Sequence, residues 1–198
     1  MNRLEIINKL IGQHGYQSYL EVGTQAGITF SRVKATYRTG VDPEPKFAPP
    51  ANDLGQRLFT GTSDDFFAIN KETFDIVLID GDHTAEQCEA DILNALRVLN
   101  LGGTIVCHDM LPKTEEHQSV PRISLAWTGD VWKAWVKLRA TRQDLRMCVI
   151  NDDWGVGLIQ RGQQNTIAMP KTLDWPAFKS NKRSWLNVVN NIPAAYLL

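Results

Sequence analysis

Cysteine is scarce: three residues in 198, at Cys88, Cys107 and Cys148, with no CxxC pair among them. That scarcity excludes a disulfide framework or a zinc ribbon and suits a reducing, cytoplasmic setting. Long apolar runs are missing too, and none approaches the roughly 18 residues of a membrane span. The first residues, Met1-Asn2-Arg3-Leu4-Glu5, carry charges where a signal peptide would be apolar. Neither sign of charge is in excess: 21 Lys and Arg face 22 Asp and Glu, for a net charge of -1. A nucleic-acid partner, which calls for a basic surplus or stripe, is therefore not expected. There is no internal repeat and no low-complexity tract. What is there is a length suited to one domain and a composition, 43% hydrophobic and 22% charged, typical of a folded one. The expectation is a single domain over 1–198 with neither a membrane nor a nucleic-acid partner.

The patterning alternates between helix and strand. Leu4, Ile7, Leu10 and Ile11 share one helical face, and Gly15 stops the run. Residues 18–23 read as a short strand ending in glycine, 26–37 as a helix, and 40–43 as a strand end. The four prolines between 43 and 50 make a loop. A weak strand over 56–60 precedes a short helix near 64–69. Phe74-Asp75-Ile76-Val77-Leu78-Ile79-Asp80 is the apolar run of a strand buried on both faces. An amphipathic helix over 84–100 ends at Gly102-Gly103, and a second buried strand follows over 104–107. Asp130 reads as the N-cap of a helix reaching 142. Two apolar runs, 147–150 and 155–159, flank Asn151-Asp152-Asp153-Trp154 as a closing hairpin. The class is α/β: a Rossmann-like, doubly wound, mostly parallel sheet with one antiparallel strand in the C-terminal hairpin. Ligands of such sheets sit at the carboxyl ends of the strands, so 21–27, 42, 80–83 and 108–109 are the places for a site.

Glu21-Val22-Gly23-Thr24-Gln25-Ala26-Gly27 is an E-x-G-x-x-x-G turn from strand to helix. Glycine there lets a ligand approach the backbone, and the following N–H groups are free to donate. The spacing departs from G-x-G-x-x-G, which disfavours a dinucleotide such as NAD. Asp42, nineteen residues after Gly23 at the end of the second strand, is placed to accept both ribose hydroxyls of a nucleoside.

These motifs, with Phe74 to His83 and with Leu99-x-x-Gly102-Gly103-Thr104-Ile105-Val106-Cys107-His108-Asp109, run in order from 18 to 110. The chain resembles the class I S-adenosylmethionine-dependent methyltransferases. Within them it is similar to the small bacterial branch related to the catechol, macrocin and cephalosporin-pathway O-methyltransferases. The resemblance implies a seven-stranded sheet, a cofactor-binding half over 18–110, and a substrate loop, closing strands and C-terminal helix over 111–198. It implies a cofactor site of Glu21, Gly23, Thr24, Gly27, Asp42, Ser63, Asp64 and Asp80. The Gly23 loop would pass the methionine part, Asp42 the ribose, and Ser63 and Asp64 the adenine. For the last two, a helix N-cap and first-turn acid is an equal reading.

The resemblance also places Asp80 as one divalent-metal ligand, with His108 and Asp109 as the adjacent pair, and magnesium or manganese as the ion. His83 falls where catechol-type enzymes keep a catalytic lysine, which makes His83 and Asp80 the catalytic candidates. Histidine at 108 departs from the family's acidic or acid-amide pair. His108 and Asp109 can face one ligand only if the chain has left the strand, because neighbouring strand residues point to opposite faces. Metal-free alternatives stay open: Asp80 against cofactor or substrate, His83 capping a helix, His108 against the sheet.

The loop from 112 to 127 overhangs this region as a lid or a solvated loop. Trp132, Trp135 and Val136, at i, i+3 and i+4, read as core, and Trp127 as a wall for substrate. The stretch from Trp175 to Leu198 packs on the domain or pairs with a second copy as a homodimer. The function implied is methyl transfer to a small-molecule acceptor, a sugar or secondary metabolite carrying a hydroxyl. The rivals are a non-catalytic nucleoside-binding or partner protein and an NAD-dependent oxidoreductase.

Overall fold

A computed structural model describes residues 1–50 and 53–198. Its centre is one sheet of eight strands: β1 (Ser18–Val22), β2 (Tyr37–Asp42), β3 (Gln56–Thr60), β4 (Phe74–Ile79), β5 (Leu99–Cys107), β6 (Leu145–Ile150), β7 (Val156–Arg161) and β8 (Val188–Val189). The spatial order is β3-β2-β1-β4-β5-β7-β6-β8. β7 runs antiparallel to both β5 and β6, and the remaining neighbours pair in parallel. Five helices flank it: α1 (Arg3–His14), α2 (Ser63–Ile69), α3 (Ala85–Val98), α4 (Trp132–Thr141) and α5 (Trp175–Trp185).

The period-2 alternation of β4 feeds two cores. Val77 and Ile79 pack with Ile92 of α3, Trp132 and Trp135 of α4 and Phe178 of α5. Ile76 and Leu78 face the other way, onto Ile6, Ile7 and Leu10 of α1. Each such side chain, fully buried, contributes about 1.5–3 kcal/mol. A central strand apolar at both parities thus dictates helices on both faces, and its carboxyl end is left open for a site. The tryptophans read as core are core: Trp132 and Trp135 are both fully buried.

Four expectations need correction. The sheet has eight strands rather than seven, because Val188-Val189 adds a parallel edge to β6. Residues 26–37 form no α-helix; a single 3-10 turn at Phe30–Arg32 is all that forms before β2. Side chains satisfy the backbone there instead. Arg38 donates to the carbonyls of Phe30, Ser31 and Val33, and Asn8 of α1 bonds the backbone of Arg32 and Lys34. β5 begins at Leu99, ahead of Gly102-Gly103, with a register irregularity against β4. Asp130 is not the N-cap of α4, which is Val131. Its carboxylate accepts instead from the Ala85 N–H in the first turn of α3 and pairs with Lys133.

Candidate active site

A cavity of about 840 Å³ opens at the carboxyl ends of β1, β2, β4 and β5. β1 and β4 are where the strand order reverses, which is where such a sheet leaves a crevice. A hollow therefore lies where the fold alone would put a ligand.

The glycine turn forms its floor. Gly23 sits at φ +89, and a Cβ there would meet the Asp80 carbonyl oxygen at 2.0 Å. Backbone thus touches backbone between the ends of β1 and β4, and only glycine fits. Thr24 lines the cavity, and its buried Oγ1 has no partner within the protein. Asp42 also lines it and accepts from the backbone N–H groups of Gln25 (2.7 Å) and Glu44 (2.8 Å). Each carboxylate oxygen keeps a second lone pair for a ligand. Glu21 is buried at the cavity wall, with Tyr19 donating to it. Burial pushes the Glu21 carboxyl up to about 8, against the Tyr19 hydrogen bond, so it is protonated at neutral pH. Gly27 does not line the cavity; its α-carbon backs onto the Phe47 ring.

Ser63 and Asp64 line the opposite wall. The cap of α2 is Thr62, in a reciprocal box with Asp65, which leaves Ser63 and Asp64 outside the capping bonds. Gln87 of α3 ties this wall together, its amide reaching Ser63 Oγ, Asp64 Oδ1 and Asp91 Oδ1 at 3.1–3.3 Å. Asp91 is buried, and that burial raises its carboxyl to about 6.

At the other end, β5 stops at Cys107 and Asp109 takes φ +64. The chain has left the strand, so His108 and Asp109 turn to the same cavity. His108 Nδ1 lies 3.3 Å from Asp80 Oδ1 and 3.2 Å from Asp109 Oδ1, and its Nε2 lies 3.4 Å from Asp153 Oδ2. Burial opposes charge on this ring, but the hydrogen bonds to Asp109, Asp153 and Asp80 outweigh it and raise its pKa to about 11. The His108 hydrogen bond in turn holds Asp153 far below the usual carboxylate range. His83 Nδ1 is 3.5 Å from Asp109 Oδ2 and its Nε2 is 3.7 Å from Asp80 Oδ1. The helix cap that follows is Thr84, not His83.

The loop 112–131 closes over His83. Trp127 stacks on the His83 ring at 5.1 Å between centroids, with its indole N–H on the Ser119 carbonyl. The backbone carbonyl of His83 accepts from the Asp130 N–H. A single segment thus fixes both the plane and the backbone of this histidine.

The donor set for a divalent ion is only partly available. Asp80, His83 and Asp109 can each bring one ligand atom within 4.8 Å of the others. Arg3 Nε, however, a permanent cation, lies 3.5 Å from Asp80 Oδ2, and the His108 ring sits between Asp80 and Asp109. His108 is thus turned to carboxylates on both ring nitrogens. With the permanent charge of Arg3 already paired with one carboxylate of the set, a divalent ion fits poorly, and no step below is routed through a metal.

Sequence reading missed Arg3, Gln87 and Asp153. Arg3 and Gln87 look like ordinary polar helix positions, and Asp153 like a hairpin-turn residue. Only the sheet order brings α1 and the β6–β7 turn to the end of β5. The C-terminal stretch packs on its own domain through the buried Ile192 and Tyr196, which leaves pairing with a second copy untouched. Among the described residues, no helix is long and apolar enough to cross a membrane.

Residues 20–110 match a family described as a methyltransferase domain. No curated protein matches the sequence. Among solved structures, the SAH-bound methyltransferase PaMTH1 of Podospora anserina is similar at a TM-score of 0.62. The identity is 13%, over 81% of this chain and 78% of that one. The SAM complex of TomG, a Streptomyces achromogenes O-methyltransferase involved in tomaymycin synthesis, gives 0.59 and 17%, over 80% and 79%. The Bacillus cereus O-methyltransferase in complex with SAH gives 0.54 and 16%, over 79% and 78%. At these identities the likeness is one of fold.

Proposed function

From the match of residues 20–110 to a methyltransferase-domain family and the strand order of the sheet, we propose that this chain moves the methyl group of S-adenosylmethionine to a hydroxyl of a small-molecule acceptor. One observation carries this reading. The nucleoside-type wall (Asp42, Gly23, Ser63) and the acid–base group (His83, Asp109) line the same cavity. A nucleoside held at one end therefore lies beside a proton acceptor at the other.

S-adenosylmethionine supplies a sulfonium methyl, which passes to the acceptor oxygen as its C–S bond breaks toward sulfur. The protein's share is to hold two reactants in line and take a proton. Asp42 accepts ribose hydroxyls, and the Gly23 turn admits the ligand against the backbone. Ser63, Asp64 and Gln87 offer the polar wall for the base. His83 takes the acceptor proton on Nε2, with Nδ1 turned to Asp109 Oδ2 at 3.5 Å. That pairing supports the charge the ring gains. Trp127, stacked on His83, keeps the ring aimed and shields it from water. The acceptor class, a sugar or secondary metabolite, follows from the resemblance of the motifs.

The test is transfer of a labelled methyl group to a panel of hydroxylated acceptors. His83→Ala should slow transfer by about 10²–10⁴-fold while leaving S-adenosylmethionine affinity unchanged. Full activity in that variant would remove His83 as the base. A Trp127→Ala variant that changed only acceptor KM would assign Trp127 to acceptor binding rather than to positioning.

A further inference from the structure

The cluster at the ends of β4 and β5 contains a cation supplied by the chain itself. Arg3 stands in the first turn of α1, on the far face of the sheet from α3 and α4, yet it lines the cavity. Its backbone N–H donates to Asp153 Oδ2 at 2.8 Å, and its guanidinium Nη1 lies 3.4 Å from the same oxygen. Nη1 also lies 3.2 Å from His108 Nε2, and Nε is 3.5 Å from Asp80 Oδ2. That Nε is buried and makes no hydrogen bond within the protein. A guanidinium cannot shed its proton in a protein, so this positive charge is permanent.

Resting on the methyltransferase reading above, we propose that Arg3 is a built-in cation at the active site, holding Asp80 in place of a divalent ion. Methyl transfer by this chain then proceeds without added metal. The geometry gives two reasons. Arg3 is anchored through backbone and side chain to Asp153, so it does not drift with the solvent. It pairs with Asp80 Oδ2, on the same carboxylate whose Oδ1 faces His83 and His108, and like charges close together in a partly buried site repel strongly. Arg3 is thus a positioning residue for Asp80, itself anchored by Asp153.

The experiment uses Mn²⁺ alone as probe, titrated into metal-stripped full-length protein and followed by the loss of the free-ion EPR signal. S-adenosylmethionine binding is measured by calorimetry on the same samples. Wild type should leave Mn²⁺ free well above micromolar concentration. Arg3→Met should bind it about tenfold or more tightly, and Arg3→Lys, which keeps the charge, should resemble wild type. Stoichiometric micromolar Mn²⁺ binding by wild type would overturn the proposal. So would an Arg3→Met protein that is folded, as judged by retained S-adenosylmethionine binding, and takes up no more Mn²⁺ than wild type. Failure of wild type to bind S-adenosylmethionine would remove the methyltransferase reading, and the Mn²⁺ series would still report on Arg3.

Discussion

Asp42 carries two duties at once. Its carboxylate already orders the Gln25 and Glu44 backbone, and the same two oxygens face the cavity. Asp42→Ala therefore loses ligand bonds and loop order together, and should weaken S-adenosylmethionine binding by about 10- to 100-fold, as expected for one or two charge-assisted hydrogen bonds. Unchanged affinity by calorimetry would remove Asp42 from the ribose site. Glu21 gives a pH signature. Its folded pKa lies above its unfolded value, near 4.5, at about 8. A raised pKa stabilises fully below the unfolded value, and that stability is lost as pH climbs to the folded one. Between about pH 4.5 and 8 the wild type should lose stability, on the order of a few kcal/mol. Glu21→Gln should lack that slope in denaturant melts. A slope of equal size in the variant would contradict the assignment. At this scale the sequence was informative where chemistry is local: Asp42, Ser63, Asp64 and Asp80 line the cavity, whereas Gly27 does not. Arg3 was illegible because its partners, Asp80 and Asp153, are 77 and 150 positions away.

Elements with one dominant pattern were legible, and elements held by distant side chains were not. The run from Phe74 to Ile79 forms β4 as its continuous apolarity requires, and α3 follows its amphipathic stripe. Residues 26–37 lack such a stripe. Phe30, Val33 and Ala35 are the buried anchors, at a spacing of three and two, and Arg38 and Asn8 supply the bonds a helix would make internally. The element that shapes the active site most is the loop over His83. Gly129 sits in it at φ +62, and a Cβ there would meet the His83 carbonyl oxygen at 1.7 Å. Gly129→Ala must push the loop away, at a cost of about 1–3 kcal/mol. The expected result is a lowered thermal midpoint and loss of methyl transfer, with S-adenosylmethionine affinity largely kept, since the nucleoside wall lies elsewhere. A variant with wild-type midpoint and turnover would show that the loop does not position His83.

For the whole molecule, strand order is what converts a list of motifs into a site. Five parallel strands in the order β3-β2-β1-β4-β5 put the ends of β1 and β4 side by side, and the antiparallel β7 brings the 151–154 turn beside the end of β5. The alternation of segments made this architecture readable, while the two-residue β8, too short to leave a pattern, was not. The cavity, its glycine floor and the Asp42 wall together support the central proposal, that this chain holds S-adenosylmethionine and not a dinucleotide. Calorimetric titration of the full-length protein with S-adenosylmethionine and S-adenosylhomocysteine, with NAD as control, tests it most directly. Micromolar binding of both sulfur nucleosides, unaffected by EDTA and absent for NAD, is the predicted result; NAD binding, or no binding of either sulfur nucleoside, would contradict it.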